Sequence, residues 1–317
     1  MANTKALRNW AEQVRAGEAR AISRAVSAIE DRAPEAESLL RELFAYTGRA
    51  GRLGVTGAPG TGKSTLVDKL AAYYRSQEKS VGIIAVDPSS PFTGGAILGD
   101  RIRMQGHASD EGIFIRSMAT RGYLGGLAQA TGDVALLLDA AGKDEILIET
   151  VGVGQGEIEI ARLADCTLVV LVPGMGDDVQ TLKAGLMEIA DIFVINKSDR
   201  EGAERLEGQL RAILQLLPEH DGWRPAIVRT IATEGKGIDE LARQIDLFRD
   251  ARAKDRRARD IAYWKNWLVR LLERRVVEQV FAKGITEGEL DALAAQVAAR
   301  KTDPYSAVSE ILSRSDH

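Results

Sequence analysis

The stretch GAPGTGKS, Gly57 to Ser64, stands directly between an apolar run and an amphipathic helical pattern. It matches G-x-x-x-x-G-K-S/T, in which a glycine-rich turn joins a strand to the first turn of a helix. The glycines let backbone N–H groups point inward around a polyphosphate, and the helix N-terminus favours the anion. The stretch therefore predicts an α/β fold that binds the phosphates of a nucleotide.

Within this loop, Lys63 is expected to reach the β- and γ-phosphates, and the Ser64 hydroxyl is expected to bind Mg²⁺. A chance glycine-rich turn is the alternative, but every position of the pattern is matched in its strand-turn-helix context. The predicted phosphate-site residues are Gly57, Ala58, Pro59, Gly60, Thr61, Gly62, Lys63, Ser64 and Thr65.

Short apolar runs alternate with helical patterns between residues 52 and 230. Their continuous apolar character is typical of strands buried on both faces of a mostly parallel sheet. We predict a doubly wound, mostly parallel α/β sheet with its ligand at the carboxyl ends of the strands. The seven runs are RLGVTG, VGIIAVD, GIFIRSM, EILIET, CTLVVLV, DIFVINK and AIVRT.

Helical periodicity lies on both sides of this region. Residues 4–45 read as two or three helices, and from about residue 238 the pattern continues without a break to Gly284. Thr286 opens a capping-box-like start, and a last helix is expected to begin at Asp303. We predict an N-terminal helical segment, a nucleotide-binding domain and a C-terminal helical segment, over residues 1–48, 49–245 and 246–317.

Composition argues against several classes of protein. Acidic residues number 46 and basic residues 42, so no global basic field indicates nucleic acid or an anionic membrane as partner. Residues 251–275 hold nine Lys/Arg against three Asp/Glu, which RNA could contact, but a solvated helix face explains them better. No apolar run approaches the roughly 18 residues that span a bilayer, and no signal core opens the chain, so we expect a cytoplasmic protein.

The segment INKSD, Ile195 to Asp199, follows an apolar run and carries the N-K-x-D signature of guanine readers. The Asp199 carboxylate can accept from N1–H and the exocyclic amine of guanine, a donor pair that adenine lacks. Asn196 is expected to support the loop and the base edge, and Lys197 to lie over the ring. A surface turn is the alternative. A third loop, with Ile231, Ala232 and Thr233, is expected to offer a backbone amide to the base; we predict GTP and GDP as ligands.

Three further segments separate families of guanine-nucleotide proteins: AVDPSSPFTGGAILGDRIRM, ETVGVGQGE and PGMGDDVQTLKAGLMEIAD. They resemble the three switch regions of the MeaB/ArgK family, G-protein chaperones of adenosylcobalamin-dependent acyl-CoA mutases, and the resemblance covers nearly the whole chain. It implies a GTPase that uses GTP and Mg²⁺ and forms a homodimer through its C-terminal helices. The implied partners are a mutase and an adenosyltransferase, with neither nucleic acid nor a membrane involved.

By the same resemblance, acids near the strand ends surround Mg²⁺ directly or through water. These are Asp87, Asp100 and Glu149, acting beside Ser64. Several carboxylates near one metal are reasonable only where the metal and a polyphosphate balance their charge. Asp87 as a turn former and Asp100 as a helix cap are the alternatives.

The second switch departs from the common pattern of GTPases. Gly152 is expected to sense the γ-phosphate through its amide, but Val153 stands where most GTPases have a water-orienting glutamine. Gln155 comes two positions later, too far along to be assumed its substitute. We therefore expect the protein alone to hydrolyse GTP slowly.

The third switch supplies the remaining candidates. In the family this segment moves when a mutase docks, so the resemblance adds Asp177, Gln180 and Lys183 to Lys63 as candidate catalytic residues. Of these, Gln180 and Lys183 are expected to reach the γ-phosphate or the attacking water in the docked state. Asp178 is given no role, because the family usually has Glu there. A solvated helix start is the alternative.

Two other activities remain to be weighed. A nickel-insertion GTPase would carry Cys/His ligands, whereas this chain has Cys166 in an apolar run and three dispersed histidines. A P-loop kinase needs an acceptor pocket and a base, and no sequence signal indicates either. A non-hydrolysing binder is disfavoured by the intact Lys63, Ser64 and Glu149.

Overall fold

The computed structural model describes residues 2–87, 110–119, 124–150, 163–174, 184–216, 222–283 and 286–315. The chain divides into two compact units, Met1–Ala253 and Lys254–His317. The predicted boundaries after residues 48 and 245 stay predictions.

Seven parallel strands form one sheet in the first unit, in the order β3-β2-β4-β1-β5-β6-β7. This confirms the predicted mostly parallel α/β sheet, and each of the seven apolar runs overlaps one strand. Because β1 lies between β4 and β5, the chain crosses over β1, and a ligand is expected at its carboxyl end. The strands are β1 Gly51–Thr56, β2 Val81–Asp87, β3 Ile113–Ala119, β4 Glu145–Thr150, β5 Cys166–Leu171, β6 Ile192–Ile195 and β7 Ala226–Arg229.

Helices cover both faces of this sheet, which explains why its central strands are apolar throughout. The core on one face joins β1, β4 and β5 to α4 and α8, while β6 packs against α7 on the other. The helices of the first unit are α1 Ala2–Arg15, α2 Ala19–Glu30, α3 Pro34–Leu43, α4 Lys63–Ser76, α5 Leu124–Ala140, α6 Ala184–Ile189, α7 Ala203–Leu216 and α8 Ile238–Ala251.

The N-terminal helices belong to the first unit and pack against α5. Trp10 anchors α1 to α2, because its indole Nε1 donates to Ala21 O at 3.1 Å. The Asp139 carboxylate near the end of α5 accepts backbone N–H groups from Gly48, Arg49 and Ala50 at 2.6, 3.1 and 3.0 Å. These bonds fix the chain where it enters β1, and so fix the strand that leads to the phosphate loop.

The second unit contains α9 Arg256–Ala282, α10 Glu287–Ala298 and α11 Pro304–Ser315. Thr286 forms the predicted capping box with Glu289, and Asp303 caps α11 by accepting the backbone N–H of Ser306 at 2.9 Å. The prediction of an unbroken helix from residue 238 is wrong, because α8 and α9 are separated by a short 3-10 turn. The apolar side chains of α8 pack on the sheet of the first unit, whereas α9 belongs to the second unit. In the described part of the chain, no helix combines the length and apolar character needed to cross a bilayer.

Candidate nucleotide-binding site

The phosphate loop lies where the sequence places it, between β1 and the first residue of α4, Lys63. Gly57 adopts a φ of 144°, and a Cβ there would lie 2.2 Å from Val170 O on β5. Gly62 adopts a φ of 89°, and its Cβ would lie 2.5 Å from Asn196 Nδ2. Glycine is needed at both positions, because a side chain would collide with β5 or with Asn196 of the N-K-x-D segment.

The Lys63 side chain lies within this loop. Its ammonium is buried and donates to Gly57 O at 2.8 Å and to Ala58 O at 3.1 Å. A buried cation requires acceptors, and the loop carbonyls supply them here. Thr61 closes the turn from inside, since its hydroxyl donates to Ala58 O at 2.9 Å. The ammonium therefore lies within the predicted phosphate loop, and its contact with the β- and γ-phosphates stays a prediction.

Ser64 and Glu149, both predicted near Mg²⁺, are brought together. The Ser64 hydroxyl donates to Glu149 Oε1 at 2.6 Å, and both residues are buried. A hydroxyl that gives its proton to a carboxylate keeps oxygen lone pairs that can bind a cation. Two buried oxygen donors beside a phosphate loop suit Mg²⁺, which prefers oxygen ligands.

The other two predicted magnesium acids are Asp87 and Asp100. Asp87 ends β2, whose Val86 pairs with Thr150 of β4, so its backbone lies beside the strand end that carries Glu149. Asp100 lies outside the described residues. Within the described ranges, no group of three or more His, Cys, Asp or Glu side chains gathers as a metal site would.

Asn196, in the N-K-x-D segment, connects the phosphate loop to the third loop. Its Nδ2 donates to Thr61 O at 2.8 Å, and its Oδ1 accepts from the Thr230 hydroxyl and the Ala232 amide, each at 3.1 Å. The side chain is buried. This single amide therefore holds three loops at the carboxyl edge of the sheet.

The next residues of the signature line the same edge. Lys197 has a φ of 55°, and its ammonium donates to Gly60 O at 2.8 Å, which lays the aliphatic stem along the phosphate loop. Ser198 N donates to Thr230 O at 3.1 Å, which ties the signature to the third loop. The side chain of Asp199 is exposed.

The third loop is held in a tight turn. Ile231 N donates to Lys236 O at 3.0 Å, and Thr233 is exposed beside it. The Ala232 amide, predicted to face the base, donates to Asn196 Oδ1 in this structure. The role of Ile231, Ala232 and Thr233 in binding guanine therefore stays a prediction.

Three threonines near the site received no role from the sequence. Thr230 bonds to Asn196, and the Thr150 hydroxyl donates to Thr56 Oγ1 at 2.9 Å between the ends of β4 and β1. A signal was present, because two buried runs, LGVT and EILIET, both end in threonine. Its meaning depended on knowing that β1 and β4 are neighbours.

Several predicted residues lie outside the described part of the chain, so their roles stay predictions. They belong to the second and third switch segments. They are Gly152, Val153, Gln155, Asp177, Gln180 and Lys183.

The sequence resembles proteins of one family along nearly its whole length. Residues 19–285 match the family described as methylmalonyl-CoA mutase-associated GTPase MeaB. GTPase ArgK of Escherichia coli is 38% identical, over 89% of this chain and 88% of that protein. A proposed GTPase of Pyrococcus abyssi is 48% identical, over 95% of this chain and 94% of its own length.

Two other comparisons extend this result. The mouse protein named methylmalonic aciduria type A homolog, mitochondrial, is 40% identical over 194 residues, which are 60% of this chain and 47% of that protein. The fold also matches the crystal structure of an LAO/AO transport system kinase, with a TM-score of 0.73 and 29% sequence identity. The match covers 97% of this chain and 96% of the chain in that structure.

Proposed function

The chain belongs to the family of methylmalonyl-CoA mutase-associated GTPases, and we propose that it couples GTP binding and hydrolysis to the loading or reactivation of an adenosylcobalamin-dependent acyl-CoA mutase. As a GTPase of this family it binds guanine nucleotide. One observation carries the site assignment: the Asn196 side chain holds the phosphate loop and the third loop through bonds to Thr61, Thr230 and Ala232.

The chemistry of this site consists of positioning and charge stabilisation. Lys63 and the loop amides hold the phosphates, while Asp199 selects the guanine edge. Ser64 and Glu149 would hold Mg²⁺ directly or through water, and the bound ion would neutralise charge on the β- and γ-phosphates. Attack of water on the γ-phosphate gives GDP and free phosphate. Release of one phosphate per GDP, with no labelled acceptor, would distinguish this reaction from that of a kinase.

The proposed partner is a mutase, with an adenosyltransferase as a further one. Support comes from the family description and from the sequence of the third switch. Because Val153 replaces the usual glutamine, the protein alone should turn over slowly. Asp177, Gln180 and Lys183 would complete the site when the mutase docks.

Replacing Asp199 by Asn tests the guanine assignment. The amide oxygen could still accept from N1–H, but the amide NH2 would face the exocyclic amine of guanine, donor against donor. The same NH2 would match the C2 carbonyl of xanthine, so preference should move from GTP to xanthosine triphosphate. Competition binding against a fluorescent GDP measures both affinities. Unchanged GTP affinity in Asp199→Asn would reject the assignment.

Replacing Lys183 by Ala tests the partner. GTP affinity should be unchanged, while the stimulation of GTP turnover by a purified acyl-CoA mutase should disappear. Lys5→Ala, at an exposed position of α1, is the matched control and should keep full stimulation. Equal stimulation of wild type and Lys183→Ala would remove the third switch from the mechanism, and no stimulation of wild type by any mutase would remove the partner.

The second unit supports the proposed homodimer. Along α9, large apolar side chains are exposed at three- and four-residue steps, among them Leu268 at 61% and Leu272 at 63%. A contiguous apolar helix face of this kind is typical of an interface, and we propose a second copy as its occupant. Leu268→Glu with Leu272→Glu should give monomers in sedimentation equilibrium, whereas Gln296→Glu should leave the mass unchanged. A dimeric double variant would contradict the use of this face.

A further inference from the structure

The ends of β1 and β4 are joined by a pair of threonine side chains. Thr150 Oγ1 donates to Thr56 Oγ1 at 2.9 Å, and the two residues are 4% and 1% exposed. The last registered pair of these two strands is Val55 with Glu149. The side-chain bond therefore lies one residue beyond the registered ladder, where the strand ends would otherwise separate most easily.

Each threonine adjoins a residue of the phosphate site. Thr56 precedes Gly57, the first glycine of the loop, and Thr150 follows Glu149. Successive side chains of a strand point to opposite faces. The end of β4 is consequently held on both faces, by Glu149 to Ser64 at 2.6 Å on one and by Thr150 to Thr56 on the other.

We propose that Thr150 and Thr56 are positioning residues for the magnesium site. Their bond fixes the end of β4 against the root of the phosphate loop, and so holds the Glu149 carboxylate at its distance from Ser64. The inference rests on the proposed role of Glu149 in binding Mg²⁺ and gives a function to two threonines to which the sequence analysis assigned none. Metal sites require their ligands to be held within about 0.5 Å, so a displaced strand end would weaken the site.

A purely structural explanation must be distinguished from this one. In that explanation, the two hydroxyls pair only because each is buried and requires a partner. Removing one hydroxyl then leaves the other unsatisfied, whereas replacing both by apolar groups of the same shape is nearly neutral. Stability and metal binding therefore respond differently to the single and double replacements.

The experiment compares Thr56→Val, Thr150→Val and the double variant in the full-length protein. Each single variant should lower the urea midpoint, and the double variant should recover most of that loss. The dissociation constant of Mg²⁺ from the GDP complex should rise by about tenfold in all three variants. This is the low end of the loss of affinity that follows when residues supporting a metal ligand are replaced. Thr150→Ser, which keeps the hydroxyl, should bind Mg²⁺ as the wild type does.

Thr131→Val supplies the matched control. Thr131 is a fully buried threonine of α5 whose hydroxyl meets Met118 Sδ at 4.0 Å, so its loss should affect stability alone. If the Thr56→Val/Thr150→Val double variant regains both the urea midpoint and wild-type Mg²⁺ affinity, the positioning role is overturned. If Glu149→Gln leaves the Mg²⁺ affinity of the GDP complex unchanged, the proposed magnesium site itself is overturned. The failure of the positioning role and the failure of the magnesium site can therefore be told apart.

Discussion

Glu145 and Glu149 stand at opposite ends of β4, four residues apart and therefore on the same face of the sheet. They are buried to nearly the same degree, at 2% and 4% exposure. Glu145 accepts from the Arg249 guanidinium at 2.9 and 2.8 Å and from Lys79 at 2.9 Å. Glu149 accepts from the Ser64 hydroxyl, an oxygen that can itself bind a cation.

The difference shows how one strand serves stability at one end and chemistry at the other. Burial alone would lower the pKa of Arg249, but its hydrogen bonds to Glu145 and the charge of that carboxylate raise the pKa above the usual arginine value. The guanidinium of Arg249 therefore stays charged, and its bonds to Glu145 fasten α8 to the sheet. At the carboxyl end, the Ser64–Glu149 pair would, on the proposed function, take part in binding Mg²⁺.

The largest effect is expected from Glu145→Gln. Removing this charge breaks a buried ion pair and should cost about 3 kcal/mol of unfolding free energy, the lower end for such pairs because Lys79 and Arg249 keep some solvent contact. Urea unfolding of the nucleotide-free protein measures it. The Mg²⁺ affinity of the GDP complex should be unchanged; a parallel loss of affinity would show that the two ends of β4 are not independent.

The next effect is expected from Glu149→Gln, which should reverse that pattern. Affinity for Mg²⁺ should fall by about tenfold or more, because a carboxylate near the ion is lost. The unfolding free energy should not fall, because the amide oxygen still accepts from Ser64 and a buried charge is removed. Titration of Mg²⁺ into the GDP complex and urea unfolding provide the two readings. Destabilisation without loss of Mg²⁺ affinity would assign Glu149 to structure instead.

The smallest effect is expected from Arg249→Lys. The charge is kept, but one ammonium cannot reproduce the two parallel bonds of the guanidinium, so about 1 kcal/mol of unfolding free energy should be lost. The urea midpoint should lie between those of wild type and Glu145→Gln. A midpoint at or below that of Glu145→Gln would mean that the fork geometry matters more than the charge.

The same two acids show how far the sequence could be interpreted. The run EILIET predicted a buried strand, because burial on both faces leaves a local apolar signature. It also contains Glu149, which the resemblance of ETVGVGQGE to a second switch region identified as a magnesium acid. The role of Glu145 was not predicted, because its partner Arg249 lies 104 residues later and no local sequence pattern indicates the pairing.

The order of the strands in the sheet could not be predicted either, because it too depends on contacts between distant parts of the chain. The seven runs predicted seven strands, but not that β4 inserts between β1 and β2. The bond between Thr56 and Thr150 depends on that insertion, so neither residue was identified. The phosphate loop and INKSD were readable because each carries its chemistry within a few consecutive residues.

The hydrogen bonds of Asn196 have one more consequence. They join the phosphate loop and the third loop in the nucleotide-free protein, so those loops are preorganised. Ordering them therefore costs little conformational entropy when a nucleotide binds. GDP and GTP share the base, the ribose and the first two phosphates that such a frame can contact. Discrimination between the two nucleotides should therefore come from segments outside the frame, and changes within it should alter both affinities together.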